Sequence, residues 1–149
     1  MLSITRVRAR DAYRGLLVAR GFRAIGRDLE RAPGLVRASL RQEGRRTFWT
    51  LSLWRAVGPM AGFRNENPHR TWMGSVEALC DESSYRRVDW QTPSLPDWPE
   101  AEALLRAAPR FTAMAAVSAD QAAGRIGAGG GGRVRTLDGP EAGPRGAGR

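Results

Sequence analysis

Residues 47–54 read Thr-Phe-Trp-Thr-Leu-Ser-Leu-Trp, and no other stretch of the chain limits its possible folds so tightly. Aromatic and β-branched side chains dominate it, with neither Gly nor Pro, which is the composition of a β-strand. A period of two sends Trp49, Leu51 and Leu53 to one face and Phe48, Thr50, Ser52 and Trp54 to the other. Bulk on both faces predicts a central strand covered on both sides. One cover is then a helix layer; the other is something else, such as a second subunit.

The remaining elements fall into place around that strand. Leu2 and Ile4 alternate with Ser3, Thr5 and Val7, giving a first strand. Asp11 can cap a following helix by accepting from the free N–H groups of its first turn. Val18, Phe22, Ile25 and Leu29 make one apolar stripe on that helix, which runs to about Arg31 and ends at Ala32-Pro33-Gly34. Leu35–Gln42 is a second strand, with Val36, Ala38 and Leu40 on one face and Leu35, Arg37, Ser39 and Arg41 on the other. A short turn through Gly44 makes it an antiparallel hairpin with the third strand. Gly58-Pro59 breaks the chain, one helical turn passes Met60 and Phe63, and a second break falls at 65–68. Asn67 then caps a helix whose first position is Pro68; His69, Met73, Val76 and Cys80 lie along one line of it, beside Trp72 and Leu79. Residues 85–91 form a fourth strand.

Strand, helix, hairpin, helix, strand is the βαββαβ order of the ferredoxin-like α+β fold, with a four-stranded antiparallel sheet. Helices on one face leave the other bare, and two copies meeting there would close a dimeric α+β barrel, so a homodimer is expected. Pro93, Pro96 and Pro99 form a rigid connection to a short C-terminal helix, 100–108. Residues 1–108 are thus read as one domain. Residues 109–149, rich in Gly, Ala and Arg with four glycines in a row at 129–132, are read as a low-complexity, disordered tail.

Composition excludes several classes of function. With 42% hydrophobic residues the chain can build a core, but no run approaches the ~18 apolar residues of a membrane span. No apolar secretory segment follows Met1, so a cytoplasmic protein is expected. The net charge of +9 comes from 24 basic residues that are all arginine. They are scattered rather than clustered, so nucleic acid is not the expected partner. One cysteine and one histidine exclude an internal disulfide and any two-histidine metal site. No lysine is present for a Schiff base, and neither a Gly-x-Ser-x-Gly elbow nor a phosphate-binding loop occurs.

His69 is the sharpest chemical candidate. At the first turn of its helix the positive dipole end disfavours imidazolium, and neutral imidazole is the form that binds a metal. It can ligate one iron through a single axial bond, with rim arginines pairing propionates; equally, it can be a half-buried histidine that only hydrogen-bonds. Trp54, Phe63, Trp72 and Met73 are candidates to line an apolar cleft between sheet and helix. Cys80 reads as a small core residue, Asp81 and Glu82 as solvated helix-end acids, and Asn65 and Asn67 as loop and cap residues.

Thr50–Arg55, Met60, Phe63 and His69–Met73, with the later segments Leu79–Ser84 and Leu95–Ala101, together resemble the dimeric α+β barrel proteins. Within that group they resemble the antibiotic-biosynthesis-monooxygenase-like and spheroidene-monooxygenase-like families. The likeness spans roughly Leu2 to Arg106. It implies a monooxygenase acting on a hydrophobic small molecule, or a non-catalytic binding or interaction module of the same fold. It also implies heme held by His69 in the spheroidene-monooxygenase-like case, and no cofactor in many relatives. The Gly58-Pro59 and Asn67-Pro68 insertions depart from the pattern.

Overall fold

A computed structural model of the chain describes residues 1–66, 69–127 and 129–142. β1 (Leu2–Ala9), α1 (Ala12–Leu29), β2 (Leu35–Glu43), β3 (Thr47–Trp54), α2 (Val57–Asn65), α3 (His69–Leu79) and β4 (Cys80–Val88) come first. α4 (Trp98–Ala107), β5 (Arg110–Phe111), α5 (Ala119–Ala122) and β6 (Arg133–Asp138) follow. The strands form one antiparallel sheet in the order β5-β4-β1-β3-β2-β6. Its inner four, β4-β1-β3-β2, have the ferredoxin-like order.

β3 is central, and its period of two holds: Trp49, Leu51 and Leu53 pack on one side and Phe48 on the other. α1 starts where Asp11 accepts from the Arg14 amide at 2.8 Å. It lays Val18, Ile25 and Leu29 against the sheet. α2 and α3 lie on the same side as α1, with Met60 and Val76 buried. Pro59 sits in the first turn of α2, where the N–H it lacks would have no helical partner. α2 therefore runs nine residues rather than a single turn. The Asn67-Pro68 helix start lies outside the described residues.

Four expectations change. First, the sheet has six strands rather than four, because the segment read as a disordered tail supplies β5 and β6. An uncovered β2 edge would leave a row of backbone donors and acceptors open. β6 pairs with it over Arg37–Gln42, drops Leu137 into the α1-side core, and bonds Asp138 to Arg37 at 2.9 Å. Glycine-rich composition concealed this, since strand pairing with a preformed edge needs little apolar surface. Residues 143–149 are outside the described range.

Second, β4 begins at Cys80, not at residue 85. Asp81–Ser84 has poor strand propensity, yet Glu82, Ser83 and Ser84 pair with β1 and a bulge takes up Asp81. Glu82 stands directly opposite Arg8, and cross-strand charge pairing of this kind outweighs propensity. Third, a bulge between Leu35 and Arg37 shifts β2 by one residue. Leu35 therefore joins Ala38 and Leu40 on the α1 side, while Val36 goes to the opposite face. One extra residue suffices to invert a strand's facing.

Fourth, the face opposite α1–α3 is not bare. α4 crosses it, placing Ala101 and Leu105 on Leu2, Ile4, Trp49, Leu51 and Leu53, all at most 4% exposed. Asp97 caps α4 by accepting from the Glu100 amide at 2.8 Å. The reason for expecting a partner subunit on this face is therefore absent from the single chain. Among the described residues no helix is long and apolar enough to cross a membrane.

Candidate functional site

Period two on β1, β3 and β4 gives the α1–α3 side of the sheet an unusual surface. Ser3 and Thr5 of β1, Thr50 and Ser52 of β3, and Ser83 and Tyr85 of β4 put hydroxyls where a core would carry aliphatic groups. The helices do not settle fully onto them. Between the two layers is a cavity of about 280 Å³ with these six residues in its floor. α1 contributes Val18, Phe22, Ile25 and Leu29 to the roof, and α2 and α3 contribute Met60, Phe63, Trp72, Met73 and Val76. Such a cavity lies at the small end of the ~300–1,000 Å³ typical of small-molecule sites.

The residues expected around a cleft are brought together here. Trp54, Phe63, His69, Trp72 and Met73 all line this one cavity. Their arrangement follows from local packing. Phe63 stands between Trp54 and His69, with ring centroids 5.5 Å and 5.0 Å away. Trp54 is fixed by its indole N–H, which donates to Ser52 Oγ at 2.9 Å. Trp72 lies on Gly21 of α1, where a Cβ would stand 2.2 Å from its ring. Only glycine lets the two helices approach with an indole between them. Phe22 and Phe48 meet at 5.2 Å.

His69 is half-buried, and its Nδ1 lies 3.2 Å from the Arg64 carbonyl oxygen. A carbonyl only accepts, so Nδ1 carries the proton and Nε2 is left with a free lone pair. Burial, first of all, lowers the His69 pKa, aided by the Arg64 guanidinium and opposed by the Arg64 carbonyl and by Asp28. Burial thus favours the neutral ring at pH 7, with one nitrogen able to take a proton.

The other candidates fall outside the cavity. Cys80 is fully buried in the α1–α3 core, and burial pushes its thiol up to about 12, an unreactive state. Asp81 and Glu82 are not solvated helix-end acids. Glu82 is 2% exposed, pairs with Arg6, and accepts from Ser118 Oγ at 2.8 Å. Asp81 binds Arg8 through both carboxylate oxygens at 3.0 and 2.9 Å. Asn65 is exposed, and Asn67 lies outside the described residues. Among the described residues no group of three or more His, Cys, Asp or Glu could hold a metal ion.

Heme can be tested against this geometry. The anchored Nδ1 and free Nε2 suit an axial ligand, but the volume does not suit the group. A tetrapyrrole belongs at the large end of the small-molecule range, and this cavity holds about 280 Å³. With α1–α3 as they stand, the cavity is small for a macrocycle of that size.

The sequence reading missed Arg64, Arg87 and the hydroxyl floor. Arg64 and Arg87 line the cavity too. The signal for the floor was available in the polar residues that alternate with Phe48 and Trp54 on one face of β3. The boundary error at β4 hid Arg87, since its facing follows only from the correct register.

Fold and site together define an α+β protein of ferredoxin-like strand order with an aromatic-roofed, small-molecule-sized cavity. No protein-family model matches the chain, and no curated protein matches it. Among solved structures it is similar to the crystal structure of a mutant of SnoaB, a cofactor-independent oxygenase from Streptomyces nogalater. That match has 15% identity and a TM-score of 0.44, covering 62% of this chain and 96% of that one. The fold assignment rests on strand order and register.

Proposed function

We propose that this protein binds a hydrophobic small molecule between the sheet and α1–α3 and oxidises it, a monooxygenase-like role performed without heme. One observation supports the reading above the rest: a neutral imidazole with a free nitrogen lines the same aromatic cavity as a row of hydroxyls. The roof residues Phe22, Phe63 and Trp72 suit a flat ring. The hydroxyls of Thr5 and Thr50 suit oxygen substituents on that ring. Reaction with dioxygen alone requires a ligand rich enough in electrons to supply them, as a hydroxyarene is once its proton has left. His69 Nε2 is the lining group suited to take that proton. A ring held between floor and roof is shielded on both faces, which limits quenching of a reactive anion by water.

Calorimetric titration with 1-naphthol, followed by oxygen-electrode assays over a panel of small hydroxyarenes, tests this. Binding with oxygen uptake that falls on the order of a hundredfold in His69→Ala is the expected result. The alternative, a module that holds its ligand without reacting, predicts binding with no uptake and no response to His69→Ala. Absence of binding across the panel would contradict both. A Soret band in protein grown with heme, lost in His69→Ala, would contradict the heme-free part.

A further inference from the structure

The cavity lining has a charge pattern of its own. It holds two guanidiniums, those of Arg64 on α2 and Arg87 on β4, and no aspartate or glutamate among the described residues. Neither arginine has a carboxylate partner among the described residues. On the opposite face of the sheet the rule is reversed. Arg6 and Arg8 are paired with Glu82, and Arg41 and Arg106 with Glu102.

Register places Arg87 more closely. Ser3 of β1 stands opposite both Arg87 of β4 and Ser52 of β3, so Arg87–Ser3–Ser52 is one row across the sheet. Thr5 stands opposite both Tyr85 and Thr50, so Tyr85–Thr5–Thr50 is the next row on the same face. Directly opposed side chains in antiparallel strands stand about 4.5–5.5 Å apart at Cβ. The floor is therefore a grid of hydroxyls with one cation at its β4 end. The Arg87 guanidinium lies 5.6 Å from the Tyr85 ring centroid, a cation–π contact that holds it toward the floor.

We infer that the cavity selects a planar aromatic acid, whose carboxylate is taken by Arg87 at the end of the hydroxyl row while its ring lies under Phe63 and Trp72. This deepens the functional reading above and depends on it. An anion entering a site with two cations and no acid gains attraction without displacing an existing pair. An uncharged ligand of the same shape leaves both guanidiniums to solvent. Arg64 contributes to the same field from the α2 side, and Arg87, at the exposed end of its row, makes the direct contact.

A matched pair of probes separates the two ideas. Titration calorimetry compares 1-hydroxy-2-naphthoic acid with 1-naphthol, which shares the ring and hydroxyl but lacks the carboxylate. The acid is expected to bind about tenfold more tightly at low salt, the effect of one charge-assisted hydrogen bond weakened by solvent. That preference shrinks as salt is added. In Arg87→Gln it falls to near unity, while 1-naphthol affinity and the melting temperature stay at wild-type values. Equal affinities in the wild type, or a preference undiminished in Arg87→Gln, would overturn the assignment. In either case 1-naphthol binding leaves the cavity reading standing. Failure of both probes to bind would instead contradict that reading itself.

Discussion

On the side of the sheet facing α1–α3, the inner strands carry Ser3, Thr5, Thr50 and Ser52, and the layers enclose a cavity. On the opposite side the same two inner strands carry Leu2, Ile4, Leu51 and Leu53, and α4 packs Ala101 and Leu105 directly onto them. Charge follows the same division. Arg41 lies between two indoles, 4.9 Å from the Trp49 ring and 4.4 Å from that of Trp98. It reaches Glu43 at 2.7 Å and Glu102 at 2.6 Å. Arg64 and Arg87, on the cavity side, have no carboxylate partner among the described residues. One face is thus closed by packing and ion pairing, while the other keeps groups in reserve for a ligand.

The contrast is sharpest in stability. Trp49 is fully buried on the packed face, so Trp49→Ala should cost about 3–5 kcal/mol. Trp72 is only partly buried, so Trp72→Ala should cost less and weaken ligand binding instead. Urea denaturation of both variants checks this, and equal losses would erase the distinction between faces.

A second test targets the ion pairs. Glu82→Gln leaves Arg6, 3% exposed, without its carboxylate and should destabilise by about 3–5 kcal/mol. Arg6→Met combined with Glu82→Leu should recover most of that loss, because the cost lies in the unpaired charge. A double variant as unstable as the single one would mean that the pair contributes packing rather than charge balance.

The smallest effect is expected at His69. Its pKa is held below the ordinary value of 6.5 by burial. The unfolded chain therefore takes up a proton before the folded one as pH falls. Stability from this group is complete above pH 6.5 and declines as pH drops toward the folded-state value. Melting temperatures of wild type and His69→Gln should converge as the pH is lowered from 7.5 to about 5. Parallel curves would show that the imidazole is not held neutral.

Much of this was legible in the residues. The faces of β3, the α1 stripe and the Asp11 cap depend on local pattern, and all are present in the fold. So is the gathering of Trp54, Phe63, Trp72 and Met73, which share the side chosen by period and helical spacing. What escaped depends on distant partners. β4 begins at Cys80 because Arg6 and Arg8 wait on β1 for acids that look solvent-bound in sequence. β6 forms because β2 offers an edge; its own run, Arg133–Asp138, is short and lies between glycines that set the character of the whole segment. α4 was seen as a helix, but nothing in its own residues states which face it covers. Its docking site appears only once Leu2, Ile4, Trp49 and Leu51 are assembled side by side.

The chain's five tryptophans report on both faces, which makes their indole N–H signals in a nitrogen-15 correlation spectrum the most direct measurement. Titration with 1-naphthol should move the Trp54 and Trp72 signals, which belong to the cavity, and leave those of Trp49, under α4, and Trp98, at the start of α4, in place. Shifts at Trp49 and Trp98, or a spectrum that does not respond to saturating ligand, would contradict the account.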